Sequence, residues 1–492
     1  MKHLNIVKYA ACALALLSLS ACDDWLENKP KGYTIPEKYE DYKQLMNSQY
    51  LYRALDVYPS FITDDVQLVA AGTAPEFPDF EYKDKSEEMK NLYSFQPGQI
   101  FTPGNSDGIW NGCYENIFVY NAVINNVLSA TGGSQTERER LWGEALVGRA
   151  FEYLNLVNLY GNHYDAATAE TDYGVPLVLS EEIGGEKYVR ATVAQVYQQI
   201  KDDLDKAVPK LGATVKTSFD PTQSVGYAFL SRMYLYMGDY TNALTNANLS
   251  LAQNKQLLDY KNYKAIQGQW GRLVSLDGAE EFPDEAKNVE NVYTRLLNGT
   301  SYLFKQVAAS EDLLETFARN LPVDGEDMRL SLFFAKDEFN GYTTGGAADH
   351  FPGYTIFAPY IEMNIGFSTP EVILIAAECE ARIGDLGKAL QHLNDLRDMR
   401  IKNNVHFAIP TSLSKEEVLK LVIDERRKEF AFNGLTRLID MKRLNREAWF
   451  AKTVIHSAGN EGTWTLEPND LRYIMPVPET VLSFNDMPQY ER

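Results

Sequence analysis

Cysteine is scarce in this chain, with only Cys12, Cys22, Cys113 and Cys379 among 492 residues. So small a number gives no disulfide framework, and the fold must rely on its core. Cys113 and Cys379 lie in helical, apolar patterns and are expected as buried free thiols. Histidine is equally sparse, at six positions, without His-x-x-x-His or Cys-x-x-Cys spacing, which argues against a dedicated zinc site. Positive charge is short as well: 47 Lys and Arg stand against 68 Asp and Glu, for a net charge of −21. Nucleic acid and anionic headgroups both require basic patches, so neither is an expected partner. Beyond the N-terminus no run approaches the ~18 apolar residues of a membrane-spanning helix. P-loop and dinucleotide fingerprints are missing too, and no enzyme activity is expected.

The N-terminus carries the first positive signal. Lys2 and Lys8 precede an apolar stretch from Tyr9 to Leu19, too short to span a bilayer but suited to a secretory signal. It ends in Leu19-Ser20-Ala21-Cys22, which resembles the lipobox of bacterial lipoproteins. That resemblance implies cleavage after residue 21 and diacylglycerol on the Cys22 thiol. Several acyl chains on one residue anchor stably, at ~0.8 kcal/mol per buried CH₂. Asp23 and Asp24 resemble the surface-export signal of Bacteroidetes lipoproteins. Residues 22–45, with Pro30 and Pro36, read as a lipidated tether ahead of a body over 46–492.

Along the body, helical signals recur. Leu146, Ala150, Leu154 and Val157 share one helix face. Thr192 with Gln195 and Ser414 with Glu417 form capping boxes. Asp220-Pro221 and Thr369-Pro370 supply a cap and a fixed first turn for helices over Tyr227–Met237 and Glu371–Ile383. Gly238-Asp239 followed by Ala243 is repeated as Gly384-Asp385 followed by Ala389, the helix–turn–helix pattern of tetratricopeptide repeats. The small alanines permit close helix approach, and each glycine is expected to supply the positive φ of a C-cap. The fold class is mainly α, with a tetratricopeptide-like helix-pair scaffold over about 110–253 and 366–450. Irregular segments over about 51–108 and 255–365 form a loop-rich lobe, the usual place for binding residues.

These residues resemble the SusD/RagB family over nearly the whole chain. Trp110, Tyr114, Ile117 and Asn121 match its early Trp-Tyr-Ile-Asn helix. Glu144-Ala145, Arg149-Ala150, Tyr160-Gly161 and Gly174-Val175-Pro176-Leu177 follow in family order. Asp327-Met328-Arg329 resembles its Asp-x-Arg, and Glu371-Val372 with Leu374 and Ala377-Glu378 its later helix. Glu425-Arg426-Arg427-Lys428-Glu429, Gly434, Arg437 and Asp440 match its Glu-Arg-Arg-x-Glu signature, and Met475-Pro476-Val477-Pro478 its closing motif. Asn433 stands where the family usually has Glu. The resemblance implies an outer-membrane lipoprotein that binds a glycan for a TonB-dependent SusC-like transporter. The same scaffold capturing peptides is the alternative, and a lipid-anchored hydrolase a remote third reading.

A glycan site needs aromatic faces for sugar rings and polar groups for hydroxyls. Tyr is abundant, at 30 residues. The ligand-binding candidates in the irregular segments are Trp270, Tyr293, Tyr302, Tyr342, Phe351, Tyr354, Tyr82 and Phe95, with Tyr93 beside them. Trp270 leads because its neighbours are Gln, Gly and Arg, whereas Trp110 and Trp142 belong to helical motifs and read as core. No cofactor is expected. Calcium is the one candidate metal, at Asp64-Asp65 or Asp324, Glu326 and Asp327, although neither has EF-hand spacing. The Glu425–Glu429 cluster reads as an ion-pair network fixing its helix rather than as a catalytic pair.

Overall fold

A computed structural model describes residues 36–74, 78–182, 187–266, 272–298, 303, 306–335, 343–344, 347–348, 353–356, 362–407 and 413–492. The expected signal, the expected lipidation site Cys22 and most of the expected tether lie outside these residues. Helices dominate, and strands are two to four residues long. The helices of the first half are α1 (Tyr39–Met46), α2 (Glu87–Tyr93), α3 (Gly108–Asn126), α4 (Gln135–Tyr160), α5 (Val193–Ala207), α6 (Gln223–Met237) and α7 (Tyr240–Gln253). Those of the second half are α8 (Glu311–Ala318), α9 (Met328–Phe333), α10 (Thr369–Ile383), α11 (Leu386–Asp398), α12 (Lys415–Glu429), α13 (Gly434–Leu444) and α14 (Glu479–Leu482). None of the described helices is long and apolar enough to cross a membrane.

Sequential helices pack as neighbours: α3 on α4, α4 on α5, α6 on α7, α10 on α11. The chain then closes on itself, because α10 also packs on α7 and α12 across the long intervening lobe. Leu146, Ala150, Leu154 and Val157 are buried as their spacing requires, in a core shared with Phe229, Phe367 and Cys379. Cys113 and Cys379 are buried free thiols. Trp110 is buried, and Trp142 packs half-buried against the same core.

Both capping boxes form. Thr192 accepts from the Gln195 amide and Ser414 from the Glu417 amide, each returned by the Glu or Gln side chain. The two proline-marked starts are displaced. Thr222, not Asp220, caps α6, and Ser368 precedes α10, which begins at Thr369 with Pro370 in its first turn. A proline fixes a neighbourhood for helix entry but does not choose the capping residue. The Gly-Asp repeat also divides. Gly238 takes the left-handed C-cap at φ 74°, whereas Gly384 has φ −116°. A Cβ on Gly384 would instead collide with the Glu380 carboxylate, so there the requirement is space rather than φ. Asp239 and Asp385 cap α7 and α11, and Ala243 and Ala389 are fully buried, so the helix pairing itself is as expected.

The described residues of the lobe form no extended sheet. Its strands form isolated antiparallel pairs such as Tyr263–Ala265 with Leu273–Ser275 and Asn291–Tyr293 with Phe367–Ser368. Among the described residues each pair is two-stranded, which is marginal alone. The lobe therefore takes its order from the scaffold.

Candidate functional site

The joint between lobe and scaffold is built from buried ion pairs. The last turn of α12 points Glu425 and Glu429 at cations from three directions. Glu425 accepts from Arg329 of α9 at 2.5 Å, Arg397 of α11 at 2.9 Å and Lys428 at 2.7 Å. Glu429 pairs with Arg329 at 2.9 Å and Arg400 at 2.8 Å. Arg400 also reaches Glu290 of the lobe at 2.7 Å. Burial alone would raise the Glu425 and Glu429 carboxyls, but these cations hold both below the usual carboxylate range. Glu290 goes the other way, raised by burial and by the proximity of Glu429 despite Arg400. Most of these partners come from other elements rather than from i, i+4 positions on α12. The Glu-Arg-Arg-x-Glu cluster is thus the expected ion-pair network, and its reach is tertiary.

The remaining members of the signature extend it. Arg426 bonds Asp440 at 2.8 Å, and Arg427 bonds Asp65 at 2.9 Å. Asp64 accepts from Arg437 at 2.8 Å and Lys452 at 2.9 Å. Asp327 is bonded by Arg329 at 2.7 Å, and Glu326 by Lys402 at 2.7 Å. Of the calcium candidates, the carboxylates of Asp64, Asp65, Glu326 and Asp327 face Arg and Lys. Asn433, where the family usually has Glu, caps α13 by accepting from the Thr436 amide.

Above this network lies a cavity of about 490 Å³, between the last turn of α12, the start of α10 and the lobe. Its size falls within the range of ligand pockets. Tyr260, Phe282 and Phe333 meet edge to face on one wall, with centroids 5.4–5.7 Å apart. Arg400 stacks over the Tyr260 ring at 3.8 Å and fixes it. The polar lining includes four amides: Asn288, Asn291, Asn298 and Asn364 are half-buried along it. They are held by one another and by backbone. Asn364 Nδ2 donates to Asn291 Oδ1 at 2.9 Å, and Asn291 Nδ2 to the Glu285 carbonyl at 2.8 Å. Asn298 Nδ2 donates to the Arg53 carbonyl, while Arg53 pairs with Glu362 at the rim. Tyr260 and Phe282 are buried, so Phe333, the half-buried ring of the three, is the one that can stack a sugar face, and the amides can exchange hydrogen bonds with hydroxyls.

None of the described candidate residues lines this cavity. Tyr293 is fully buried, beneath the Arg295 guanidinium at 3.8 Å, with Phe367 stacked on it. Phe95 is buried and stacks on His456 at 4.5 Å, and Tyr93 stacks on the same imidazole at 4.1 Å. Tyr82 is half-buried and packs on Trp464 at 4.8 Å. Tyr354 is half-buried against the main core, its carbonyl accepting from Ala309 at 2.6 Å. The reason is shared: an aromatic beside apolar neighbours gains more from packing than from exposure. Trp270, Tyr302, Tyr342 and Phe351 lie outside the described residues. Sequence reasoning missed Tyr260, Phe282 and Phe333. They fall in the segment 255–365 already marked as ligand-bearing, but no periodicity or motif separates them from its other rings.

A paired-helix scaffold, a lobe clamped to it by buried charges and an aromatic cavity at the joint define the class of architecture. The chain belongs to the SusD family. A SusD-like family model described as "Starch-binding associating with outer membrane" matches residues 24–235, and the SusD family model matches residues 368–490. SusD-like protein P2 of Formosa agariphila is 22% identical, covering 96% of this chain and 97% of its own length. A SusD-like protein of Bacteroides ovatus is 24% identical over 68% of this chain and 62% of its own. Among solved structures, a putative sugar binding protein from Bacteroides vulgatus superposes with a TM-score of 0.66 at 20% identity, covering 93% of this chain and 99% of that one. A SusD superfamily protein from Bacteroides thetaiotaomicron gives 0.65 at 22% identity, covering 92% and 100%.

Proposed function

We propose that this protein is a non-catalytic, lipid-anchored receptor that binds an oligo- or polysaccharide at the outer surface of a bacterial outer membrane. It then delivers the glycan to a TonB-dependent SusC-like transporter. The carrying observation is the cavity, lined by the half-buried Phe333 ring, braced by the buried Tyr260 and Phe282, together with four amides. Family membership supports the reading, as does the description of the matching model. Cys22 is the proposed acylation site, and incorporation of labelled palmitate that is lost in Cys22→Ala tests it. The site is shallow in area, so modest affinity is expected.

Calorimetry with a glycan panel tests the binding reading. Phe333→Ala should weaken the best glycan by tenfold or more, and an unchanged isotherm would remove this cavity from the site. Trp270 remains a proposed platform, tested in the same way by Trp270→Ala. The charged rim of Arg53, Glu362 and Glu285 is the feature that favours the peptide alternative. Heat evolved with a casein digest, and none with any glycan, would select it. Turnover of any polysaccharide would overturn the non-catalytic assignment, and co-purification with a TonB-dependent barrel tests the partner.

A further inference from the structure

The charge arrangement of the cavity bears on which glycans it admits, an inference that rests on the glycan reading above. Among the described residues three cations line the cavity, Arg53, Arg329 and Lys428, and each already faces a carboxylate. Arg329 serves Asp327, Glu425 and Glu429; Lys428 serves Glu425; Arg53 serves Glu362. Four carboxylates line the same space: Glu285, Glu290, Glu362 and Glu429. Glu290 and Glu429 are committed to Arg400. The Glu285 carboxylate has no cation partner among the described residues, although its backbone carbonyl accepts from Asn291. The polar atoms left over are therefore a carboxylate and amides. Asn288 Nδ2 and Asn298 Oδ1 also lack partners among the described residues.

We propose that the cavity selects uncharged glycans and rejects uronate-rich or sulfated ones, with Glu285 as the specificity-determining residue. A ligand carboxylate or sulfate entering here would find no uncommitted cation among the described residues and would lose its hydration beside Glu285 and Glu362, a like-charge placement that disfavours the anion. A hydroxyl, in contrast, can donate to Glu285 or Asn298 Oδ1 and accept from Asn288 Nδ2. The net charge of −21 acts in the same direction at longer range, lowering the encounter rate of polyanions.

The test is calorimetry on the full chain in detergent. The neutral probes are maltoheptaose, laminarihexaose, xylohexaose and mannohexaose; the anionic probes are oligogalacturonate, alginate oligomers and heparin. Wild type should bind at least one neutral probe and hold every anionic one at least tenfold more weakly. Glu285→Arg should gain at least tenfold for an anionic probe, with an affinity that falls as salt rises, while Glu285→Gln keeps the neutral ligand. Tightest binding of an anionic probe, abolished by Phe333→Ala, would overturn the selectivity and leave the cavity as the site. Neutral selectivity unaltered in Glu285→Arg would remove Glu285 from that role. Binding indifferent to Phe333→Ala would instead overturn the cavity assignment, and heat from no probe at all would overturn both.

Discussion

In the block α10–α13, Glu378, Glu425 and Glu429 are buried against guanidinium groups, whereas in the pair α3–α4 Glu152 is buried beside an amide and a thiol. Glu378 accepts from Arg443 at 2.6 and 2.9 Å and from Arg382 at 2.8 Å. Those cations outweigh the burial that would raise it and bring its carboxyl down to about 2. Glu152 accepts one bond, from Asn116 at 2.9 Å, and burial pushes it up to about 7. Equal burial thus drives two glutamates in opposite directions, and the partner decides which. The second half of the scaffold is a charged clamp on the lobe; the first half buries Glu152 and Asp107 against uncharged partners and Asp203 against Arg149.

Breaking the clamp should have the largest effect. Glu425→Ala leaves Arg329, Arg397 and Lys428 without a shared carboxylate, and removing one partner of a buried pair typically costs about 3–5 kcal/mol. Urea denaturation should show a loss of that size, and limited proteolysis should cut the lobe first. An equal loss with no new cleavage in 255–365 would show that the network does not hold the lobe.

The pH dependence sharpens the contrast, because the two glutamates act with opposite signs. Glu152 has a folded pKa above its ordinary 4.5, so its contribution is full below pH 4.5 and lost as pH rises through about 7. Glu152→Gln should therefore be more stable than wild type at pH 8, by up to about 3 kcal/mol, with the gap closing toward pH 5. A constant difference across that range would mean the acid is not the cause. Glu378 contributes above pH 4.5 and loses that contribution as pH falls toward 2. Glu378→Gln should flatten acid denaturation in that window while lowering stability at neutral pH.

The smallest expected effect is shared by both halves of the scaffold. Ser414→Ala and Thr192→Ala each remove a capping box and should each cost about 1 kcal/mol. Similar values by thermal denaturation would show that the halves differ in their buried charges and not in local helix design.

Local features were readable in the chain. The boxes at Thr192 and Ser414 and the face of Leu146, Ala150, Leu154 and Val157 depend on residues within one or two turns of each other. The Gly-Asp turns were readable as turns, though the physical reason for Gly384 was not, because it lies in the Glu380 side chain. The site was legible only as a region. The segment 255–365 supplies its rings, yet Tyr293 went to the core and Tyr260 to the cavity wall.

What the sequence by itself determined is helix content, pairing order and family, since each rests on short spacings or on an ordered set of motifs. Tertiary structure alone decided which carboxylates are clamped by cations, which rings face the cavity and which charge there stays uncompensated. Those outcomes depend on contacts between residues far apart in the chain, such as Arg329 with Glu425 and Arg400 with Glu290. No local pattern encodes such contacts, because the energy of a buried charge is set by whatever side chain the fold brings beside it.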